Sequence, residues 1–294
     1  MERIPATNDL AFKKVLASEE NKDILQGFIK DFFGVTAEDI VIENPYSINV
    51  YKEALESGGD VNVLRHTLKD VSASFKTADF VSEIQIKKTK FYDERALYYL
   101  FERFCRNYNK EGAMETGADG RPERYSSIRP VYGLNILGHT HYSEDEDALR
   151  IFEMYDVAHG KAYKKALVKA GFFELSKPKV ETVNQGYWKT YFTTGEVDGM
   201  APEYIRKASG IIEYINLQEE ERKMVTMMEK AQAIYDADMV SSYLDGKEET
   251  EKKYEAEIAE TAKKHEVEIA EAAKKYEAEI KKLQDKIKEL EGKK

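Results

Sequence analysis

Two carboxylates on neighbouring strand-like runs have the residue types and spacing of a site for a divalent cation. Strict alternation over residues 69–75 places Asp70 on a polar face, and alternation over residues 80–86 places Glu83 and Gln85 together on one face. Carboxylate oxygens are the ligands that hard divalent cations take in proteins. Asp70 and Glu83 are therefore candidate metal ligands, provided that the chain brings their two runs together.

A short polar segment, residues 76–79, joins the two runs and has the length of a hairpin connection. If Phe75 pairs with Phe80, then Asp70 and Glu83 become diagonal neighbours on one face of the hairpin. Diagonal Cβ atoms in such a ladder lie within about 7 Å, so two carboxylates can meet one cation between them. The same local pattern also fits a half-exposed hairpin whose acidic residues only face water, and the local sequence does not separate these two interpretations.

The charge of the chain is segregated. Its formal net charge is −10 over 294 residues, which argues against a surface coated with basic residues for phosphate binding. Residues 86–130 nevertheless contain 10 basic and 7 acidic residues, a net charge of +3. A basic run just beyond the acidic pair can meet backbone phosphates, or it can be an ordinary solvated face. The run comprises Lys87, Lys88, Lys90 and Arg95.

Helical spacing before and after the two strands predicts the elements that position them. Residues 10–16 and 24–32 have helical periodicity, with Asn8 among the candidate N-caps and Gly34 as the stop signal. Cys105, the single cysteine, falls on the apolar side of a later helix and is expected to be a buried, inert thiol. That side is predicted to pack on the sheet, and it comprises Leu97, Leu100, Phe101, Phe104, Cys105 and Tyr108. The aromatic group around Trp188 is expected to be structural: Tyr187, Trp188, Tyr191 and Phe192.

Three regions separate by pattern: residues 1–178 as a mixed core, 179–246 as a helical extension, and 247–294 as a charged helical tail. The tail contains an internal repeat of 11 residues that changes to heptad spacing near Leu283. Its seam predicts a coiled coil through which the chain forms a homo-oligomer, although weak seam residues also fit a solvated single helix. The repeat-defining positions are Tyr254, Ile258, His265, Ile269, Tyr276 and Ile280.

Taken in order, several segments resemble the recombination-promoting nuclease (Rpn) and transposase-like branch of the PD-(D/E)XK nucleases. The resemblance covers roughly residues 5–245. No single motif is specific, and the ordered set carries the resemblance. The matching segments are residues 8–16 (NDLAFKKVL), 70–73 (DVSA), 83–85 (EIQ), Arg95, Tyr98 and Tyr99, residues 129–138 (RPVYGLNILG) and residues 173–177 (FELSK).

The resemblance implies an α/β fold with a restriction-endonuclease-like core, in which helices flank a mixed sheet. The sequence pattern adds a helical C-terminal region and a long coiled-coil-like helix after this core. The resemblance also implies that Asp70 and Glu83 bind a divalent metal, Mg²⁺ or Mn²⁺. Gln85 takes the place that lysine holds in the wider superfamily. An amide can orient a water by hydrogen bonding but supplies no positive charge.

The expected function is that of a metal-dependent DNA endonuclease of the recombination or mobile-element type, with Asp70, Glu83 and Gln85 as its catalytic residues. RNA stays open as a substrate. The alternative is a catalytically weak or inactive relative that binds nucleic acid or protein and assembles through its tail. Apolar runs too short to cross a bilayer and early acidic residues lead us to expect a cytoplasmic protein without membrane association.

Overall fold

The computed structural model describes residues 3–49, 71–108, 114–163, 166–213 and 216–291. The chain divides into two compact units, Met1–Met228 and Glu229–Lys294. Within the described residues, no helix is both long and apolar enough to cross a membrane.

A mixed sheet organises the first unit. Its strands are β1 (Val41–Ile42), β2 (Val71–Phe75), β3 (Ala78–Gln85), β6 (Val131–Leu137), β7 (Leu149–Glu153) and β10 (Val168–Glu174). They lie in the order β1-β2-β3-β6-β10-β7. The central strands β3, β6 and β10 are parallel, whereas β1, β2 and β7 pair antiparallel with their neighbours. The carboxyl ends of the three central strands therefore meet at one edge, where Gln85, Leu137 and Glu174 lie in one row.

Helices cover both faces of this sheet. They are α1 (Asp9–Leu16), α2 (Lys22–Phe33), α3 (Tyr92–Arg106), α4 (Val183–Thr194) and α5 (Glu203–Ile211). The helix α6 (Glu219–Glu291) follows them in the chain, and 3₁₀ turns lie at Glu19–Asn21 and Arg124–Ser127. Two short hairpins add β4 (Glu115–Thr116) with β5 (Pro122–Glu123), and β8 (Tyr155–Asp156) with β9 (Lys161–Ala162). The predicted boundaries near the N-terminus are confirmed. Asn8 caps α1 by accepting from the Leu10 N–H at 3.0 Å, and Gly34, with φ of 69°, ends α2.

The larger core lies between the sheet and the helices α1, α2, α4 and α5. Trp188 is fully buried there, and its ring lies 4.9 Å from that of Phe28, which also meets Phe80 of β3. The indole N–H of Trp188 donates to Asp31 at 2.8 Å, so the one polar atom of the side chain is satisfied. The prediction that the aromatic group around Trp188 is structural is thereby confirmed for Trp188, Tyr191 and Phe192, which are all buried.

A smaller core lies on the opposite face, where α3 packs across β3, β6 and β10. Leu100 of α3 is buried against this face. Gly133 in β6 permits the close approach, because a Cβ atom at this position would lie 2.9 Å from the Leu100 side chain. Truncating Leu100 to alanine would cost about 2–5 kcal/mol, as is typical of a buried leucine.

The hairpin forms with a register that differs from the expected one. Phe75 pairs with Ala78, not with Phe80, and a turn of two residues, Lys76 and Thr77, replaces the expected connection of residues 76–79. Asp79 belongs to β3 and is fully buried, because ion pairs and hydrogen bonds satisfy its carboxylate. Asp79 was expected in the turn only because its side chain is polar. The predicted face of β2 is confirmed, since Val71, Ala73 and Phe75 are buried while the intervening serines are partly exposed.

The predicted packing face of α3 is confirmed at Leu100 and Phe104, which pack in the smaller core, and is wrong at its other four positions. Leu97, Phe101, Cys105 and Tyr108 are exposed, so the expectation of a buried Cys105 thiol is wrong. The buried positions of the helix are Tyr92, Ala96, Leu100 and Arg103. A prediction from apolar spacing alone does not find this face, because Arg103 occupies a buried position on it.

The helix α6 runs for 73 residues, a length of about 110 Å. Its first turns contribute Met224 and Val225 to the larger core. Glu–Lys pairs at i, i+4 spacing recur along it, including Glu248 with Lys252 at 2.6 Å and Glu260 with Lys264 at 2.9 Å. Such pairs support a helix that is exposed on all sides.

Candidate functional site

Glu83 and Gln85 lie on the face of β3 that is turned toward α3. Strand alternation places Ser82 and Ile84 on the other face, so the two polar side chains point to the same side. Both are nearly buried, with 7% of Glu83 and 6% of Gln85 exposed. Polar groups at this depth require partners. The predicted shared face of these two residues is confirmed.

Arg95 from the first turns of α3 joins these two side chains. One nitrogen of its guanidinium, Nη2, donates to Glu83 Oε1 at 2.7 Å and to Gln85 Oε1 at 2.7 Å. The Gln85 amide nitrogen donates in turn to the backbone oxygen of Lys87 at 2.7 Å, which fixes the orientation of the amide. The carbonyl oxygen of Gln85 therefore faces the same point as the Glu83 carboxylate, and a positive charge occupies that point.

A second layer of contacts holds Arg95. Its guanidinium lies 5.1 Å from the centre of the Tyr92 ring, which is a cation–π contact. The Tyr92 hydroxyl donates to Asn135 Oδ1 at 3.2 Å, and the Asn135 amide donates to the backbone oxygen of Gly171 at 3.1 Å. All three parallel strands thus contribute to the arrangement around Arg95: β3 through Glu83 and Gln85, β6 through Asn135 and β10 through the Gly171 backbone. Side chains supported in this way are held in one geometry.

A cleft of about 250 Å³ opens between this face of the sheet and α3. Its lining is mixed in charge and includes Glu43, Ser72, Glu83, Tyr99, Arg103 and Arg106. The lining is also partly apolar, because Val81 and Leu100 contribute to it. Concave sites with a few convergent polar groups are the usual places for ligands.

Glu43 was not found from the sequence. It follows β1 and its backbone N–H donates to the Ser72 oxygen at 2.9 Å, which places it beside β2. Its carboxylate forms a two-nitrogen ion pair with Arg103 of α3. No local signal marks this residue, since only the pairing of β1 with β2 brings it to the cleft.

The predicted basic run falls into two parts in the structure, three exposed lysines and one arginine that points inward. The lysines Lys87, Lys88 and Lys90 lie on the exposed segment that directly follows β3. Arg95 turns inward to Glu83 and Gln85, so its charge is directed to the candidate site. Asp70 lies outside the described residues.

The residues at the open edge of the sheet link α3 to the segment after β6. His141 Nε2 lies 2.8 Å from Asp93 Oδ1 in the first turn of α3. His139 Nδ1 lies 3.4 Å from the backbone oxygen of Ile86, next to Gln85. Burial lowers the pKa of His139, and this effect exceeds the opposing effect of the backbone contact. The described residues contain no group of three or more His, Cys, Asp or Glu side chains that could hold a metal.

The donor chemistry at Glu83 and Gln85 fits a hard divalent cation. A carboxylate oxygen and an amide oxygen converge on one point, and both are ligand types that Mg²⁺ and Mn²⁺ accept. The guanidinium of Arg95 shows that this point favours positive charge. The residues that are described therefore fit one side of a metal site.

Residues 6–245 match the family described as PD-(D/E)XK nuclease family transposase. No curated protein and no solved structure matches the chain. The mixed six-stranded sheet with flanking helices and the long C-terminal helix agree with this family. Nucleases of the PD-(D/E)XK type generally use divalent metal ions, and the family indicates a nuclease-like function. Because the match covers most of the sequence, this chain belongs to the PD-(D/E)XK nuclease family transposases.

Proposed function

We propose that the chain is a metal-dependent DNA endonuclease of the recombination-promoting, transposase-like type, which hydrolyses phosphodiester bonds. The observation that supports this proposal is the convergence of Glu83 and Gln85 on one cation-binding point beside the cleft. Family membership supplies the nuclease class, and the local geometry supplies the residues.

In this proposal Asp70 and Glu83 hold the metal, with Mg²⁺ as the expected ion and Mn²⁺ as a substitute. The bound ion supplies Lewis acidity that polarises the phosphodiester and makes water more acidic. Gln85 orients the attacking water through its amide, which the contact with the Lys87 backbone holds in place. Lys87, Lys88 and Lys90 contact phosphates of the substrate backbone.

Arg95 supplies the positive charge that Gln85 lacks. Its Nη2 atom holds the carboxylate of Glu83 and the amide oxygen of Gln85 together, and the guanidinium offsets the negative charge of the site. Because the guanidinium is only partly buried, it can also turn toward a phosphate of the substrate. Arg95 thus acts as a positioning residue for the two side chains of β3.

Cleavage of supercoiled plasmid in the presence of Mg²⁺ or Mn²⁺ tests this function. Substituting Asp70→Ala or Glu83→Ala is expected to lower the rate by at least about 100-fold, because each removes a metal ligand. Ser74→Ala, at an outward position of β2, serves as the matched control and should leave the rate unchanged. Unchanged cleavage in both acidic variants would remove these residues from the reaction.

A second candidate is an inactive relative that keeps the fold and binds nucleic acid or protein. The contact of Arg95 with Glu83 favours it, because the carboxylate is already paired with a cation of the chain. Calorimetry with Mn²⁺ separates the two candidates. An intact fold that takes up no Mn²⁺ at millimolar concentration would support the inactive form, whereas uptake that is lost in Glu83→Ala would support the enzyme.

We also propose that residues 247–294 bring copies of the chain together as a coiled coil. The apolar seam positions Tyr254, Ile258, Ile269, Tyr276 and Ile280 are exposed along α6. A helix that exposes a regular apolar stripe buries it on association. Deleting residues 247–294 should lower the mass measured by light scattering, and an unchanged mass would mean that the tail is a single helix.

A further inference from the structure

Two aromatic rings close to the candidate site lie open to solvent. Phe91, at the start of α3, is 74% exposed, and Tyr98, two turns later, is 64% exposed. Tyr98 contacts the ring of Tyr99 at 5.7 Å between centroids and otherwise faces outward. Aromatic side chains bury much of their surface in most proteins, so exposed rings next to a cleft require an explanation.

The two rings lie on either side of Arg95 in the sequence. Tyr98 lies three residues after Arg95, and residues at this separation are neighbours on one side of a helix. Phe91 is the residue immediately before the first residue of α3. Arg95 itself reaches Glu83 and Gln85, so both rings are close in the sequence to the residue that contacts the candidate site.

The backbone presents the Phe91 ring in an unusual way. Phe91 has φ of 58° and ψ of 34°, a left-handed conformation that is strained, and therefore has an energetic cost, for a residue with a side chain. Burial of the ring does not offset this cost, because most of the ring remains exposed. Strain of this kind is concentrated at functional positions.

The charge next to Phe91 indicates the partner class. Residues 86–90 are all exposed, and among the described residues neither Lys88 nor Lys90 forms an ion pair. The ammonium groups are therefore available for phosphates. Beside Tyr98 the helix also carries Glu94 and Glu102, and Glu102 is paired with Arg106 at 2.6 Å, so the basic side of the proposed surface is the one before Phe91.

We propose that Phe91 and Tyr98 form a stacking platform for unpaired bases, and that Lys88 and Lys90 hold the phosphates of the same strand. This inference rests on the proposed nuclease function and specifies its substrate as single-stranded or locally opened nucleic acid. Bases in an intact duplex are stacked on each other, whereas unpaired bases have open faces for aromatic rings. Such stacking does not depend on sequence, because every base has a π-face.

Binding without cleavage tests the platform. Fluorescence anisotropy with a fluorescein-labelled oligothymidylate, in EDTA, measures affinity for a single strand. Phe91→Ala and Tyr98→Ala should each weaken binding by about tenfold, the effect of one lost stacking contact. Tyr155→Ala is the matched control, since Tyr155 is also an exposed ring but lies on β8, outside α3. Its affinity should remain within about twofold of the wild type, because it removes no stacking contact.

Phe91→Trp gives a direct readout of stacking. The variant should keep the affinity of the wild type, and its fluorescence should be quenched as oligothymidylate is added. The one natural tryptophan, Trp188, is fully buried and supplies a constant background. Absence of quenching at saturating oligothymidylate would overturn the proposal.

The remaining outcomes separate this inference from the proposed function. An equal loss of affinity in all three alanine variants would show that the effect is not specific to Phe91 and Tyr98 and would overturn the platform. Unchanged affinity in Phe91→Ala and Tyr98→Ala, together with plasmid cleavage that depends on Glu83, would reject the platform but keep the nuclease. The expected binding pattern without any metal-dependent cleavage would keep the platform and reject the nuclease.

Discussion

Asp79 and Glu83 are two carboxylates of the same strand, β3, and each meets an arginine of α3. Asp79 is fully buried and contacts Arg103, Arg129 and the amide of Asn107. Glu83 lies four residues further along the strand on the same face, lines the cleft, and contacts Arg95, whose side chain is 23% exposed. One end of β3 is closed by its partners, whereas the other end opens to solvent.

The comparison shows that residue type does not distinguish a structural ion pair from a candidate site. At the closed end, burial acts against the charged form of Arg103, yet the contacts with Glu43 and Asp79 outweigh it and raise its pKa. At the open end, a single nitrogen of Arg95 contacts two side chains. The number of partners and the access to water decide which end can bind a ligand.

The largest expected effect is on stability at the closed end. Asp79→Asn removes the charge that compensates Arg103 and Arg129, and it should lower the free energy of unfolding by about 3 kcal/mol. Glu83→Gln should lower it by about 1 kcal/mol or less, because Arg95 can turn to water. Urea unfolding followed by circular dichroism measures both variants. Equal losses would show that the two ends do not differ in the way described.

Lysine substitutions sharpen the comparison at a smaller scale. Arg103 uses two nitrogens for Glu43 and reaches Asp79 as well, a geometry that lysine cannot reproduce, so Arg103→Lys should cost about 1–3 kcal/mol. Arg95 uses one nitrogen, so Arg95→Lys should cost under about 1 kcal/mol. Thermal unfolding of the two variants at equal protein concentration measures both losses of stability. A larger loss for Arg95→Lys would contradict the single-nitrogen interpretation.

The smallest expected effect is a pH dependence confined to the open end. The pKa of His139 is lowered by burial, with the charges of His141 and Lys88 acting in the same direction and Glu174 opposing them. The unfolded chain therefore binds more protons than the native protein just below the ordinary histidine pKa of about 6.5. The free energy of unfolding should decrease as the pH falls below about 6.5 and should keep its full value above this pH.

His139→Asn removes this titrating group. Urea unfolding at pH 7 and pH 5.5 should show a smaller decrease in the variant than in the wild type. The variant Asp79→Asn, at the closed end, should keep the wild-type difference between the two pH values. A decrease of the same size in His139→Asn and in the wild type would assign the pH dependence to another group.

Alternation along the strands was sufficient to predict which side chains share a face. Val71, Ala73 and Phe75 are buried together as expected, and Glu83 and Gln85 point to one side. The register was not predictable in the same way, because the polar residue Asp79 resembles a turn residue until its buried partners are known. A local pattern cannot contain partners that come from residues 103, 107 and 129.

The buried face of α3 was predicted incorrectly for the same reason, because it depends on partners that are distant in the sequence. Apolar spacing selected Leu97, Phe101 and Cys105, whereas the structure buries Tyr92, Ala96 and Arg103. An arginine can take a core position when Glu43 and Asp79 neutralise it, and Glu43 lies 60 residues away in the sequence. The roles of Glu43 in the cleft and of Tyr92 beneath Arg95 therefore follow only from the fold.

The parallel arrangement of β3, β6 and β10 has a consequence for how such a protein can diversify. Three separate connecting segments leave the sheet at one edge, each after a strand whose own position is fixed by the layers on both faces. Changes of length or sequence in these connections leave the framework intact, since surface segments tolerate insertions. New side chains can therefore be presented at this edge while the arrangement of Glu83 and Gln85 on β3 stays the same.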